Sequence, residues 1–163
     1  RGMMLIEVMV AVLILVIGML GLMAAFAQTT TTQTDVDNRA TAARLTQSLV
    51  NQITAGVDRS TNPPDNDVTP ALLAPMAHNP TPGPSLTGVP APCEPGFASA
   101  PSANPIVLAW LGQVTGPGGL PGATAAMQQI VVGPTLNQVT VTVCWQASGD
   151  SARRQHVQRA YIN

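Results

Sequence analysis

Glu7 is an acidic residue inside an apolar N-terminal stretch, where an ionised side chain is energetically unfavourable. The 20 residues 8–27 that follow it carry no charge, and a helix of about 20 residues spans the roughly 30 Å hydrocarbon core of a bilayer. An ionised carboxylate costs at least ~2.5 kcal/mol near a bilayer centre, and less near the end of a span. Glu7 therefore calls for a cation, and Arg1 is the only one nearby on this chain. Cleavage after Gly2 would create an α-amine on Met3 that could pair with a carboxylate.

Two ordinary interpretations of the apolar segment compete with such a pairing role. A cleavable signal peptide has a shorter apolar region followed by a small-x-small site, whereas residues 29–33 hold no Ala-x-Ala motif. A plain membrane anchor would gain nothing from Glu7. Gly18 and Gly21 interrupt the run. Glycine is common in membrane helices, and the alternative is that these glycines mark flexible or closely packed points of the helix.

Residues 2–8, GMMLIEV, resemble the type III signal peptide of type IV prepilins and type II secretion pseudopilins. The resemblance implies that a prepilin peptidase cuts after Gly2 and methylates the new N-terminal residue, Met3. It also implies that Glu7 neutralises the N-terminal amine of a neighbouring subunit in a filament. The first mature residue of the family is usually Phe, and many major pilins carry a late proline in the apolar run. The lack of that proline fits a minor pilin or pseudopilin better than a major pilin.

The residues after the apolar run predict a long helix followed by a globular head. Four apolar residues recur at steps of three and four, which places them on one helical stripe: Ala42, Leu45, Leu49 and Ile53. We expect the helix to run from about Met3 to about Ala55 and to end at Gly56, with the poor helix formers Thr29–Thr32 as a weak point. The resemblance implies an α+β, pilin-like fold in which this helix packs on an antiparallel sheet of three or four strands. The expected segments are a leader remnant (1–2), a transmembrane or filament-core helix (3–27), an amphipathic continuation (28–56) and a head (57–163).

The middle of the head is rich in proline. Twelve of the 15 prolines lie between residues 60 and 105, and runs such as NPTPGP at 79–84 form neither regular helix nor central strand. Region 60–105 is therefore predicted to be an extended loop. Asn104 followed by Pro105 then predicts an N-cap and the first position of a short helix to about Gln113.

The end of the chain predicts strands. Residues 129–132, 138–146 and 155–162 are short β-prone runs, and Ala147–Asp150 between the last two reads as a turn. In the second run, alternation places four residues on one face: Val139, Val141, Val143 and Trp145. In the third run, Val157 and Tyr161 are predicted to point inward.

Cys93 and Cys144 lie 51 positions apart and fit no zinc or thioredoxin pattern. In an exported protein two such cysteines predict one disulfide, and two buried free thiols are the alternative. A disulfide of this loop length stabilises a fold by ~4 kcal/mol in the chain-entropy model.

Catalytic, cofactor and nucleic-acid functions find little support in the sequence. The formal net charge is −1 and only 9% of residues are charged, so there is no electrostatic case for nucleic acid. His78 and His156 have no neighbouring carboxylate or cysteine cluster and are predicted to be surface residues. The glycine-rich run 116–122 lacks the Gly-Lys-Ser/Thr of a phosphate loop. We therefore predict no enzyme, no cofactor and no metal site.

Elements of the head resemble PilV-type minor pilins: Trp110, Leu120-Pro121-Gly122, Trp145-Gln146 and Tyr161-Ile162. The resemblance implies a minor pilin that helps to initiate or prime a type IV pilus. Its implied partners are other major and minor pilins, the prepilin peptidase, the inner-membrane assembly platform and the membrane. The implied location is the bacterial inner membrane, single-pass with the head outside the cytoplasm, and after assembly an extracellular pilus or periplasmic pseudopilus. Two alternatives stay open. One is a minor pseudopilin of a type II secretion system. The other is a filament-tip module for adhesion or DNA uptake that uses the proline-rich loop and Arg153, Arg154 and Arg159.

We expect the mature chain to begin at a methylated Met3 when the protein is made in cells that carry a prepilin peptidase. Intact-mass and N-terminal peptide analysis of the purified protein measures this directly. A chain that retains Gly2, or one cut after Ala27, would contradict the prediction.

Overall fold

The computed structural model describes the backbone of residues 3–58, 60, 68–80, 93 and 100–162, with side chains in the first helix given for 5–26, 29, 30 and 32–58. The chain divides into two compact units, Arg1–Asp37 and Asn38–Asn163. Each unit is described by itself below.

Helix α1 runs from Met3 to Gly56, which confirms the predicted long helix and its end at a glycine. In the first unit its stretch Leu5–Phe26 has a mean hydropathy of 2.8 and none of it is buried. By length and composition this stretch could cross a membrane or serve as a signal sequence. A Cβ added at Gly18 or Gly21 would meet nothing within 4 Å, so no contact inside the described chain requires glycine there.

The predicted weak point in the threonine run is spanned by unbroken helix. The hydroxyls of Thr29, Thr30 and Thr34 donate to the carbonyls four residues earlier, at 2.9, 2.6 and 3.0 Å respectively. Such back-bonding satisfies the hydroxyl inside the helix, although it slightly weakens and often bends a helix. The threonines are therefore accommodated by local hydrogen bonds.

The second unit folds around the last part of α1. The predicted stripe is confirmed, because Ala42, Leu49 and Ile53 are fully buried and Leu45 nearly so. Another helix, α3, spans Pro105–Thr115. Its Trp110 is fully buried, and the indole Nε1 donates to the Leu45 carbonyl at 3.0 Å. The predicted start of α3 is confirmed: the Asn104 side chain accepts a hydrogen bond from the Ile106 amide at 2.9 Å.

The three predicted strands are confirmed, with ends shifted by at most one residue. Strands β1 (Gln129–Val132), β2 (Gln138–Trp145) and β3 (Arg154–Tyr161) form an antiparallel sheet in the order β1-β2-β3. The predicted turn between β2 and β3 is also present, with the Asp150 amide donating to the Ala147 carbonyl at 3.0 Å. The apolar face of β2 lies in the core, where all four of its predicted members are fully buried: Val139, Val141, Val143 and Trp145.

The predicted inward face of β3 is wrong. Val157 is 44% exposed and Tyr161 is 57% exposed, whereas the alternate residues from Arg154 to Ala160 are half-buried. Three of the four inner side chains of β3 are polar, the fourth being Ala160, and Gln158 donates to Gln47 Oε1 of α1 at 2.7 Å. Since successive strand residues point to opposite faces, a polar contact with the helix reverses the assignment that apolarity alone suggests.

Part of the proline-rich region is helical, which corrects the prediction of an extended loop throughout 60–105. Helix α2 spans Pro70–Leu73 and a 3₁₀ turn follows at Ala74–Met76, burying Leu73 and Met76 in the core. Proline suits the first helical position because its missing amide would have no partner there. Residues 61–67, 81–92 and 94–99 of the predicted loop lie outside the described residues.

Replacing Val143 with Ala should lower the free energy of unfolding by about 2 kcal/mol, because it removes two fully buried carbons and leaves a cavity. The matched control is Val157→Ala on the outer face of β3, for which we expect a change within about 0.5 kcal/mol. Urea unfolding of the full chain in detergent micelles, followed by the fluorescence of the buried Trp110 and Trp145, measures both. Equal losses in the two variants would contradict the assignment of faces.

Candidate functional site

Glu7 is exposed on the first unit, within the span Leu5–Phe26, where it is the only charged residue. No basic residue of the chain lies within two helical turns on its C-terminal side. The predicted cleavage residue Gly2 lies outside the described residues, and Met3 is the first residue of α1. The carboxylate therefore sits in an apolar helix, and an α-amine at the helix start is the cation that processing could add.

The helix geometry relates Glu7 to Met3. The two residues are four positions apart on α1, so they share one face of the helix. An amine on Met3 would therefore lie on the helix face that carries the carboxylate of its own chain.

The two cysteines form a disulfide, which confirms the predicted Cys93–Cys144 bond and excludes the alternative of two free thiols. Cys144 lies in β2 and is fully buried, and Cys93 is 4% exposed. The bond ties the proline-rich region to the central strand of the sheet.

The Gln128 side chain forms hydrogen bonds with the backbone of Cys144. The sequence analysis did not predict this role. Strand β1 begins at Gln129, which pairs with Thr142, so β1 does not reach Cys144. The buried Gln128 side chain takes the place of a strand there: Nε2 donates to the Cys144 carbonyl at 3.0 Å and Oε1 accepts from the Cys144 amide at 2.9 Å. Both backbone groups are thereby satisfied, as burial requires.

His78 is buried at 2% exposure, so its predicted surface position is wrong. Its backbone forms a bridge with Ile130, with the two N–H···O bonds at 3.0 and 2.8 Å. Its ring Nδ1 accepts from the Ser102 amide at 3.1 Å, so Nε2 carries the proton toward the Ala125 carbonyl at 3.0 Å. Both ring nitrogens are used to join three loop segments, which is a structural role. His156 is half-buried on the inner face of β3.

The described residues contain no group of three or more His, Cys, Asp or Glu side chains that could hold a metal ion. Asp35 and Asp37 lie on α1, two positions apart, which does not place them on one helix face. Asp65 and Asp67 lie outside the described residues. Among the residues that the structure describes, Glu7 is therefore the strongest candidate functional residue.

Replacing both cysteines with Ala should lower the free energy of unfolding by ~4 kcal/mol, because the 51-residue separation closes a long loop in the unfolded chain. Urea unfolding of the full chain in detergent micelles measures the loss, and mass analysis without reducing agent checks the bond. Reduced wild-type protein is the matched control and should lose a similar amount. Wild-type stability in the double variant would show that the bond does not constrain the fold.

Comparison with known proteins adds no family to these observations. No protein-family model, curated protein or solved structure matches this chain.

Proposed function

We propose that this chain is a minor pilin subunit of a type IV pilus, incorporated into the filament through its N-terminal helix and helping to initiate its assembly. The observation that carries the proposal is Glu7, the one charged residue within the apolar span Leu5–Phe26. Cleavage within the prepilin-like motif at residues 2–8 would create the cation that pairs with Glu7, a new α-amine on Met3.

The free energy of an ionised Glu7 depends on what surrounds it. Desolvating two opposite charges is offset only when their geometry is close, and removing one partner of a buried pair costs about 3–5 kcal/mol. In a filament core of packed apolar helices, a subunit displaced along the axis would leave both the carboxylate and an amine unmatched. The pair thus specifies register between subunits more than it adds net stability.

The architecture of each unit suits this role. The first unit exposes an apolar helix surface from Leu5 to Phe26, which would need to be covered by lipid or by other helices. The second unit has its own core, formed by the last part of α1, by α3 and by the sheet. A subunit of this kind can insert or assemble through one unit while the other stays folded in water.

The disulfide supports the proposed location. Disulfides persist in oxidising compartments such as the periplasm and the cell surface, and Cys93–Cys144 lies in the second unit. We therefore place the head outside the cytoplasm, with the helix in the inner membrane before assembly. The proposed partners are the prepilin peptidase, the inner-membrane assembly platform and other major and minor pilins.

Replacing Glu7 with Ala should leave membrane insertion intact and reduce filament incorporation at least about tenfold, because an amine of the neighbour is left buried without its partner. Membrane fractionation measures insertion, and immunoblotting of sheared surface filaments measures incorporation. Asp37→Ala is the matched control, since it removes one exposed acid from the same helix outside the apolar span.

Normal incorporation of Glu7→Ala into filaments would refute the proposed role. Equal loss in both variants would mean that acidity along the helix, and not the position of Glu7, supports assembly. Recovery of the wild-type chain only with a type II secretion pseudopilus would move it to the related class of minor pseudopilins.

A further inference from the structure

The two edges of the sheet differ in whether another segment of the chain covers them. Strand β1 is closed on its outer side by His78, which exchanges both backbone hydrogen bonds with Ile130. Strand β3 is the opposite edge, since the strand order is β1-β2-β3. In the part of the chain that the structure describes, the backbone of residues 157–161 is hydrogen-bonded to no segment other than β2. The side of β3 that faces away from β2 is here called the open edge.

The register between β2 and β3 determines which backbone groups point to the open edge. The Ile162 amide donates to the Asn137 carbonyl at 3.1 Å, just beyond the last pair of the ladder, so these two residues form a hydrogen-bonded pair. Hydrogen-bonded and non-hydrogen-bonded pairs alternate along an antiparallel ladder. Every second residue of β3 is consequently bonded to β2, whereas Val157, Arg159 and Tyr161 direct their amides and carbonyls away from it. Each of these three residues therefore presents one donor and one acceptor along the open edge.

Strand β3 lacks most of the features by which exposed edges avoid pairing. Its eight residues contain no proline and pair with β2 without a bulge, whereas prolines, bulges and very short strands are the usual protection. The Cys93 sulfur lies 3.8 Å from the Arg154 carbonyl oxygen, so the disulfide lies beside the start of the strand and not beside its second half. A charged side chain also opposes unspecific pairing, and Arg159 supplies one on the open edge.

The side chains of the open edge indicate what a paired strand should carry. Val157, Arg159 and Tyr161 are exposed at alternate positions on the outer face of the sheet. Among the described residues, no hydrogen bond or ion pair involves the Arg159 guanidinium. Residues directly opposite each other on paired strands share one face, where opposite charges and apolar or β-branched pairs are favourable. An acidic residue opposite Arg159 and β-branched residues opposite Val157 and Tyr161 therefore match this edge.

We propose that the open edge of β3 binds an extended segment of a partner protein as a fourth strand, antiparallel to β3 and with an acidic residue opposite Arg159. Backbone hydrogen bonds hold such a segment along an edge, and side chains at alternate positions select its sequence. An antiparallel pair is slightly more stable per residue than a parallel one, and both existing pairs of this sheet are antiparallel. A β3 strand of a second copy fits less well, because it carries no acid to place opposite Arg159.

The test is a titration of the full chain in detergent micelles with the peptide acetyl-Val-Thr-Glu-Thr-Val-Thr-Thr-amide. When its first residue lies opposite Tyr161, its Glu lies opposite Arg159. Amide hydrogen exchange, measured by NMR, reports pairing residue by residue. We expect the amides of Val157, Arg159 and Tyr161 to exchange at least about tenfold more slowly with saturating peptide, because they become hydrogen-bonded. The amides of His156 and Gln158 are already bonded to β2 and should slow much less.

Two N-methylated peptides separate backbone pairing from side-chain contact. Methylating the amide of the peptide residue opposite Val157 removes a hydrogen bond to β3 and should weaken binding at least about tenfold. Methylating the residue opposite Gln158 is the matched control, because that amide points away from β3; it should weaken binding by no more than about threefold. Equal weakening by the two methyl groups would overturn the proposed strand pairing.

Arg159→Gln should weaken binding of the acidic peptide about three- to fivefold, as expected for one exposed ion pair. The same variant should leave unchanged the binding of a peptide with Gln in place of Glu. Arg44→Gln is the matched control, since it removes an exposed arginine of α1 away from the sheet edge. Equal weakening by both variants would overturn the position of the acidic residue in favour of general charge attraction.

Two further outcomes would also overturn the proposal. If the same three amides slow in the chain alone as its concentration rises, the occupant of the edge is a second copy. If no peptide slows them, the edge is not a binding site. Each measurement is made on the single chain, so it does not require that the chain enter a pilus, and a negative titration leaves the Glu7→Ala result intact.

Discussion

The cost of an ionised carboxylate in an apolar environment governs the first unit of this molecule. Glu7 lies in a span that is otherwise without charge and that could cross a membrane or serve as a signal sequence. In the filament proposed above, packed helices remove water from the carboxylate, and an ionised Glu7 then needs a cation of suitable geometry nearby. An apolar helix without a charge could pack beside many other helices and at many axial positions. An ionised Glu7 would restrict both the neighbouring helix and the axial position.

The second unit must be stable although it contains few aromatic residues. Its core contains two fully buried tryptophans among mostly aliphatic side chains. Irregular segments are then held by polar side chains that replace missing backbone partners, as Gln128 does beside Cys144 and as His78 does between the Ser102 and Ala125 segments. Asn137 acts similarly, because its side chain donates to the Val68 carbonyl and its own carbonyl accepts from the Ile162 amide. The disulfide adds a covalent tie to the same framework.

Apart from the disulfide, the features that the sequence predicted correctly depend on local patterns. The end of α1 at Gly56, the Asn104 cap and the bounds of β1 follow from residues adjacent in the chain. Helix α2 carried the same kind of local signal, Thr69 followed by Pro70, but the surrounding prolines obscured it. The orientation of β3 and the burial of His78 depend on contacts with residues distant in the chain, such as Gln47 and Ser102, and no local pattern reports these contacts. For the candidate site, the sequence located Glu7, but the cation proposed to pair with it lies on another chain or on a processed terminus.

The surroundings of Glu7 determine what it can contribute to the proposed assembly. A charge pair in a dry helix core is penalised by several kcal/mol when one partner is missing, so it discriminates strongly between one axial position and another. In the proposed filament, the helix would therefore determine how far a subunit is inserted.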